Sequence, residues 1–519
     1  MKASCWAVSP LLLAAALLGV LHALAMQPRG WWIAAWLSEC GLLALWLSGR
    51  QTFGLAMLIG LVYGFSLDCV TTDWLAGAMS RHPDAPRWTL VGGTLFAWVY
   101  DALPWALAGG AQALCSRLGP GWRMLAAVPL GATIGWWLNT WVFGGLPWVA
   151  PGYAHLDTVL AGYFPVGGYL LVSISALLIS GCTVLAFRGD CRWAFAVVGL
   201  SGLGWTLQHV PWTKAAGAPV VVGIVQTGAP LDFRPAAWLA NATHEMNLRI
   251  SKALVKRHHV DVVIWPEAAL YGSAHAWREA LQRGLMPETA GADFVLGMIT
   301  ADPESAIPEM LTDGSPNIES PQTARYNIAL AGGPNSSGMH VKHHLLPFGE
   351  YWPQSGPLSW LRSEFGPARV WITPGPERPT PLYIRGQRVG ATICFEDAFA
   401  AAFSDIEAPP SWLINLSNDA WFDGSMPYQH LALSRARALE LGRYMVRVAN
   451  IGPSAIIAPN GHIIAQTAVG KIEMQNGVVI PQEGLTPFGR WGNGLVLALC
   501  TALTLALVGA IAQDLRRTH

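Results

Sequence analysis

The sequence predicts a two-part fold: a polytopic α-helical membrane domain of about eight transmembrane helices, and an α/β domain inserted before the last of them. Three observations carry this. Apolar residues make up 52% of the 519 positions and charged residues only 12%, the balance of a membrane protein rather than a soluble one. The long apolar runs are confined to the first 210 residues and to a stretch near 492–512. Between them lies a polar block of nearly 280 residues in which short β-rich runs alternate with helical ones, the pattern of a layered α/β domain. The formal net charge is zero, which leaves no large basic surface for nucleic acid.

Taken in order, the apolar spans fall at 9–26, 31–48, 52–70, 89–112, 124–144, 161–186 and 193–210, with one more at 492–512. A spanning helix needs roughly 20 residues, and the first two are short. Trp31, Trp32, Trp98, Trp136, Trp137, Trp141 and Trp148 stand near the ends of these runs, where amphipathic rings settle among lipid headgroups. Lys2, Arg50, Arg117, Arg123, Arg188, Arg192, Arg516 and Arg517 fall on one side of an eight-helix path, and Arg29, Arg81 and Arg87 on the other. Basic residues stay cytoplasmic, so both termini are expected inside and the polar block outside. Residues 1–26 also read as a cleaved signal peptide, with Lys2, an apolar run and Ala23-Leu24-Ala25; the polar block lies outside on either reading. Asp68 and Asp101 are the exceptional charges within the spans, both near expected ends.

In the polar block, Val220–Val225, Val262–Trp265, 293–299, 326–331, 339–345, 389–394, Trp412–Asn415, 444–449, 454–458 and 462–467 read as strands, and 236–257, 274–285 and 428–442 as helices. The Pro-, Ser- and Gly-rich segments 302–323 and 351–381 read as long loops of the kind that form lids. The expected domain limits are 1–214, 215–488 and 489–519.

Of eight cysteines, only Cys394 lies in the polar block. It follows the apolar run Val389-Gly390-Ala391-Thr392-Ile393, where a strand is expected to give way to a helix. A helix N-terminus or a nearby cation favours the thiolate, the reactive form; a small buried hydrophobe is the competing reading. No Cys/His zinc spacing occurs, so neither a metal nor a cofactor is expected. Three further signals share the block. Glu267 follows the strand and proline of Ile264-Trp265-Pro266 and also reads as an ordinary loop acid. Lys342 sits within a β-like run, where an edge-strand lysine is the alternative. Asn415-Leu416-Ser417-Asn418-Asp419 runs from a strand into a turn and reads equally as turn chemistry. One acid, one lysine and one cysteine thus recur at strand ends, where sheet proteins build their sites.

At these residues the chain resembles the nitrilase superfamily and, within it, the membrane-embedded apolipoprotein N-acyltransferases. The matching stretches are Trp265-Pro266-Glu267, Lys342 with Leu346-Pro347-Phe348-Gly349-Glu350-Tyr351, Ile393-Cys394-Phe395-Glu396, and Ser417-Asn418-Asp419-Ala420-Trp421-Phe422. They continue through Gln429-His430, Arg437–Arg443, Arg447-Val448-Ala449-Asn450 and Gly484–Phe488, with Leu146-Pro147-Trp148 and Gly152-Tyr153 in the membrane part. The resemblance implies an αββα sandwich, Glu267 as general base, Lys342 as oxyanion and thiolate partner, and Cys394 as nucleophile. It further implies supporting or substrate-contacting roles for Glu350, Phe395, Glu396, Asn327, Asn418 and Trp421. It implies a phospholipid acyl donor, a diacylglyceryl lipoprotein acceptor, a thioester intermediate, and a monomer in the bacterial inner membrane with its catalytic domain in the periplasm. Two departures stand out. Phe395 keeps the ring of the family's usual tyrosine without its hydroxyl, and Gln226–Arg234 lacks the family's Gln-x-Asn and Lys-Trp features. The alternatives are a tethered amidase or an acyltransferase with another acceptor, and a transporter or scaffold with an inactive domain.

Overall fold

The computed structural model describes residues 2–49, 51–80, 87–229, 237–283, 291–301, 324–347, 349–351, 372–378, 380–403, 408–422 and 424–518. Arg50, Arg81, the stretch Asp232-Phe233-Arg234, Phe348, the expected loop 302–323 and most of the expected loop 351–381 lie outside these residues. The chain forms two compact units. One comprises Met1–Pro211, Gly424–Ala432 and Thr486–His519, the other Trp212–Asp423 and Leu433–Leu485.

In the first unit, helices Lys2–Ala23, Trp32–Leu47, Phe53–Thr71, Arg87–Leu114, Val128–Leu138, Phe164–Phe187, Arg192–Gln208 and Gly494–Thr518 occupy the apolar runs. Among the described residues, three segments are long and apolar enough to cross a membrane: Phe53–Thr71, Val159–Phe187 and Gly494–Arg517. Ser9–Ala23 and Trp32–Leu47 are shorter apolar helices. Helix Arg192–Gln208, with 17 residues, falls short of the roughly 20 that a straight crossing needs, whereas Val128–Leu138 continues a helix that starts at Pro120 and passes through a π-turn at Arg123–Ala127. Asp101 lies in mid-helix rather than near an end, and its carboxylate has a buried partner there: Asn139 Nδ2 donates to it at 3.3 Å. Gln429 ties its segment into this unit, accepting from Trp74 Nε1 at 3.1 Å and Trp148 Nε1 at 2.9 Å and donating to the Thr71 carbonyl at 2.7 Å.

The second unit is built on strands β1 (Lys214–Ala215), β2 (Val220–Gln226), β3 (Val262–Ile264), β4 (Leu270–Tyr271), β5 (Asp293–Thr300), β6 (Tyr326–Gly332), β7 (Ser336–Val341), β8 (Leu382–Ile384), β9 (Gln387–Ile393), β10 (Trp412–Ser417), β11 (Met445–Ala449), β12 (Ala455–Ile457), β13 (Ile463–Gln466), β14 (Glu473–Val479) and β15 (Gln482–Glu483). Strands β1 and β15 pair with each other. The others form one sheet in the order β13-β12-β11-β10-β9-β8-β7-β6-β5-β3-β2-β14, with β4 beside β5. Two parallel trios, β2-β3-β5 and β9-β10-β11, are joined by the antiparallel run β5 to β9.

Side chains alternate across a strand, and one face of both trios enters a single core. Val222, Ile224 and Ile264 meet Ala391, Ile393, Ile414, Leu416, Val446 and Val448 there. The opposite face of the first trio, with Val225, Val263, Trp265, Phe294 and Leu296, packs against Ile250 and Leu254 of helix Ala237–Arg257 and Leu281 of helix Ala274–Gln282. The sheet is therefore doubled over a shared apolar interior, with helices on the outer face of the first trio.

Two sequence expectations change here. The strand expected over 339–345 stops at Val341. Lys342 N still bonds Asn327 O at 2.9 Å, but the next two N–H groups, of His343 and His344, point instead to the carboxylate of Glu396. Strand β14 was not expected: Glu-Met-Gln-Asn-Gly reads as polar loop, yet it pairs in register with the apolar β2 along its whole length.

Candidate active site

Strand β3 ends at Ile264, and the Pro266 nitrogen cannot continue a ladder. Glu267 is thereby turned out of the sheet, beside Ala268 at a left-handed φ of 52°. Gly297 in β5 is needed opposite this turn, because a Cβ there would overlap the Pro266 carbonyl. Asn327 Nδ2 donates to Glu267 Oε1 at 2.6 Å, Lys342 Nζ approaches the same oxygen at 3.4 Å, and the backbone N–H of Asn418 donates to Oε2 at 2.6 Å.

Lys342 is buried, 1% exposed. Its ammonium also meets Glu350 Oε1 at 2.8 Å, while Glu350 Oε2 accepts from Leu346 N at 2.8 Å. Burial pulls the lysine pKa down, but the carboxylates of Glu350 and Glu267 and the Cys394 sulfur outweigh it, and the group is held charged. Burial, opposed by Lys342, raises the pKa of Glu350. One cation between two buried carboxylates satisfies the rule that buried charges are paired.

Cys394 follows β9 directly, at a left-handed φ of 52°. Such a backbone costs a non-glycine residue about 1–3 kcal/mol and persists only where its surroundings impose it. Here Asn415 Nδ2 donates to the Cys394 carbonyl at 3.3 Å, and Ile393 N donates to Glu396 Oε2 at 2.8 Å. The expected helix after Cys394 is a 3-10 turn of five residues, Cys394–Ala398, because the backbone bends again at Phe399; little helix dipole reaches the sulfur. Burial pushes the thiol well above its usual pKa, Glu267 adds to the shift, and Lys342 opposes it. The sulfur thus rests as the thiol and lies within the fields of both Glu267 and Lys342.

A buried polar layer lies beneath. Arg447 from β11 donates to Asn415 Oδ1 at 2.7 Å, Ser417 Oγ at 3.0 Å and Asp419 Oδ2 at 2.6 Å. A Cβ on Gly452 would sit on the Asp419 carboxylate. Glu396 accepts four hydrogen bonds: His343 N at 2.8 Å and His344 N at 3.2 Å on Oε1, and Ile393 N at 2.8 Å and His340 Nε2 at 2.9 Å on Oε2. Burial alone would raise this carboxyl, but His340 and the backbone N–H groups bring its pKa down to about 2.

Sequence comparison adds the family. A profile described as "Apolipoprotein N-acyltransferase N-terminal domain" matches residues 18–182, and one described as "Carbon-nitrogen hydrolase" matches 206–480. The chain is 32% identical to the apolipoprotein N-acyltransferase of Ralstonia nicotianae, over 97% of this chain and 93% of that one. The chain belongs to the apolipoprotein N-acyltransferase family. The Chromobacterium violaceum apolipoprotein N-acyltransferase is 31% identical over 95% of this chain and 93% of its own. Family membership makes the chain an acyltransferase.

The structure brings Glu267, Lys342, Cys394, Glu350, Glu396 and Asn327 together. Asn418 enters through its backbone, since its side chain caps its own turn at Ala420 N, 3.2 Å away. Phe395 is buried edge-on to Phe399, with ring centroids 5.1 Å apart, and Trp421 is half-buried in the turn Asp419–Trp421. Gln226, whose neighbourhood departs from the family pattern, is committed to the framework: it donates to the Ala468 and Lys471 carbonyls and accepts from Ser454 and Thr467. Sequence reasoning assigned no role to Arg447 or Asn415. A lone arginine in the apolar strand Met-Val-Arg-Val-Ala was the available signal, because a charge there must be paired. Among the described residues no group of three His, Cys, Asp or Glu side chains could hold a metal ion.

Proposed function

We propose that the chain moves the sn-1 acyl chain of a membrane phospholipid onto Cys394 as a thioester, and then onto the free amine of the diacylglyceryl-cysteine that heads an apolipoprotein. The observation that carries this reading is a buried thiol that shares its pocket with the buried Lys342 ammonium and the Glu267 carboxylate, themselves 3.4 Å apart. Because the sulfur rests protonated, attack needs a base, and Glu267 fills that role: it takes the thiol proton as the S–C bond forms at the ester carbonyl. The ammonium of Lys342 faces the oxyanion of the tetrahedral intermediate, in a dry site where a fixed charge is worth most. Collapse breaks the ester C–O bond, Glu267 returns the proton to the leaving alkoxide, and a lysophospholipid departs. The acceptor amine then attacks the thioester, giving its proton to Glu267. The amide N–C bond forms, the S–C bond breaks, and the sulfur recovers its proton.

Glu350 and Asn327 hold the two charged groups, and Phe395 and Trp421 line the approach. The reading places eight helices across the inner membrane, both termini in the cytoplasm, and a catalytic domain of 215–488 in the periplasm between 1–214 and 489–519. Its support is the helix found at each apolar run and the placing of the arginines along the path. The protein acts as a monomer on lipid-borne substrates, without a cofactor.

The test is mass spectrometry of the protein incubated with phospholipid alone. An acyl adduct on Cys394, absent in Cys394→Ala, is expected; transfer that survives in Cys394→Ala would refute the mechanism. A panel of water, small amines and diacylglyceryl peptides, offered to the acyl-enzyme, identifies the acceptor.

A further inference from the structure

We infer that His340 is a positioning residue for acyl transfer, holding Glu396 so that this one carboxylate fastens both the end of β9 before Cys394 and the turn that follows Lys342. The inference rests on the proposed function for its kinetic consequence and on geometry for the rest.

His340 lies in β7 opposite Ala329 of β6 and two residues before Lys342. Alternation puts it on the face that also carries Ala329, whose side chain enters the shared core. It is 2% exposed. A histidine is a costly occupant of such a position unless hydrogen-bonded, and its Nε2 meets Glu396 Oε2 at 2.9 Å. The other three donors to Glu396 are backbone N–H groups, from two segments far apart in sequence: His343 and His344 on one, Ile393 on the other. His340 is the side-chain donor among the four. Its imidazole is fixed by a strand, so it sets the plane in which the carboxylate can serve both segments. With the ring removed, Oε2 keeps a single donor, Ile393 N, and the carboxylate is held by backbone N–H groups alone.

Both ends of this bridge carry reacting groups. Ile393 precedes the strained φ of Cys394, and His343 follows the lysine whose ammonium lies 3.4 Å from Glu267 and 2.8 Å from Glu350. A displacement of about 1 Å at such a site can cost on the order of 100-fold in rate. The second ring nitrogen, Nδ1, is buried and has no hydrogen-bond partner among the described residues. The hydrogen bond His340 gives Glu396 is therefore the one through Nε2. Glutamine can place an amide N–H at the Nε2 position; the shorter asparagine cannot.

The experiment uses full-length protein in phospholipid vesicles and follows thioester formation on Cys394 for wild type, His340→Ala, His340→Asn and His340→Gln. Thioester formation is expected to slow by about 10- to 100-fold in the Ala and Asn variants, with donor KM within about twofold, and to return to within about threefold of wild type in the Gln variant. A merely space-filling histidine would not distinguish Asn from Gln in this way. Wild-type rates in His340→Ala, or a His340→Gln that folds and is as slow as His340→Asn, would overturn the inference. Alkylation of Cys394 by a small maleimide needs no substrate: faster labelling in the Ala and Asn variants and native labelling in the Gln variant are expected. If wild type forms no acyl adduct, the proposed function fails, while the alkylation series still decides for or against His340.

Discussion

Replacing Glu267 by glutamine separates two effects that a simple loss of charge would confuse. Its two oxygens receive only donors: Asn327 Nδ2 and Lys342 Nζ on Oε1, and Asn418 N on Oε2. A glutamine must present an NH2 to one of these sides, so at least one buried donor loses its acceptor, at a cost of about 1–3 kcal/mol in stability. Lys342 keeps Glu350 at 2.8 Å, so the ammonium is not left uncompensated and the fold should survive. The thiol of Cys394 should become more acidic, because the Glu267 charge is one of the influences that raise it. A lower thiol pKa by itself would favour a nucleophile.

Thioester formation is nevertheless expected to fall by about 10²- to 10⁴-fold, the usual contribution of a general base, or about 3–5 kcal/mol in the barrier. Two assays on one preparation decide the matter: the pH dependence of Cys394 alkylation, and the rate of acyl-enzyme formation from phospholipid. A thiol pKa that falls while acylation collapses is the expected outcome. Acylation within about threefold of wild type would refute Glu267 as the base. A thiol that became less acidic would refute the electrostatic account of the site.

In the wild type, alkylation of Cys394 should be slow at neutral pH and keep rising above pH 9.0, the ordinary thiol value from which burial displaces it upward; a plateau near neutrality would count against a buried, protonated sulfur. Glu396 carries the opposite sign: its pKa drops from 4.5 to about 2 on folding, so it stabilises the fold by about 3 kcal/mol above pH 4.5, and this is lost as the pH falls toward 2. Melting curves of Glu396→Gln should therefore show lower stability at neutral pH and a flatter loss in acid than the wild type. Arg447→Met should destabilise the domain by about 3–5 kcal/mol in denaturant titrations, because it removes the cation paired with the buried carboxylate of Asp419, and should also slow acylation by releasing Asn415 from the Cys394 carbonyl.

What the sequence disclosed about this site and what it concealed divide along a physical line. Periodicity and apolar runs locate strands by their inward faces, so β2, β3, β9 and β10 were legible, together with the strand-end residues Glu267 and Cys394. A polar strand such as β14, whose stability comes from pairing with β2, carries no such mark. The same limit hid the inner framework. Asn415 and Asp419 look like turn residues, and only the fold reveals that Arg447, from the neighbouring strand, consumes their oxygens. The strand expected to run on to residue 345 failed for a related reason, since a carboxylate fifty-odd residues away competes for the N–H groups of His343 and His344. Local sequence left two sources of positive charge open at the sulfur, a helix N-terminus and a nearby cation. A 3-10 turn of five residues follows Cys394, which supplies little dipole, and the positive charge is that of Lys342, across the sheet. The difference matters for the chemistry. A dipole at the sulfur's own turn would act on the thiolate alone, whereas an ammonium held by two carboxylates can stay in place as negative charge moves from sulfur to the ester oxygen, which is where an acyl transfer needs it.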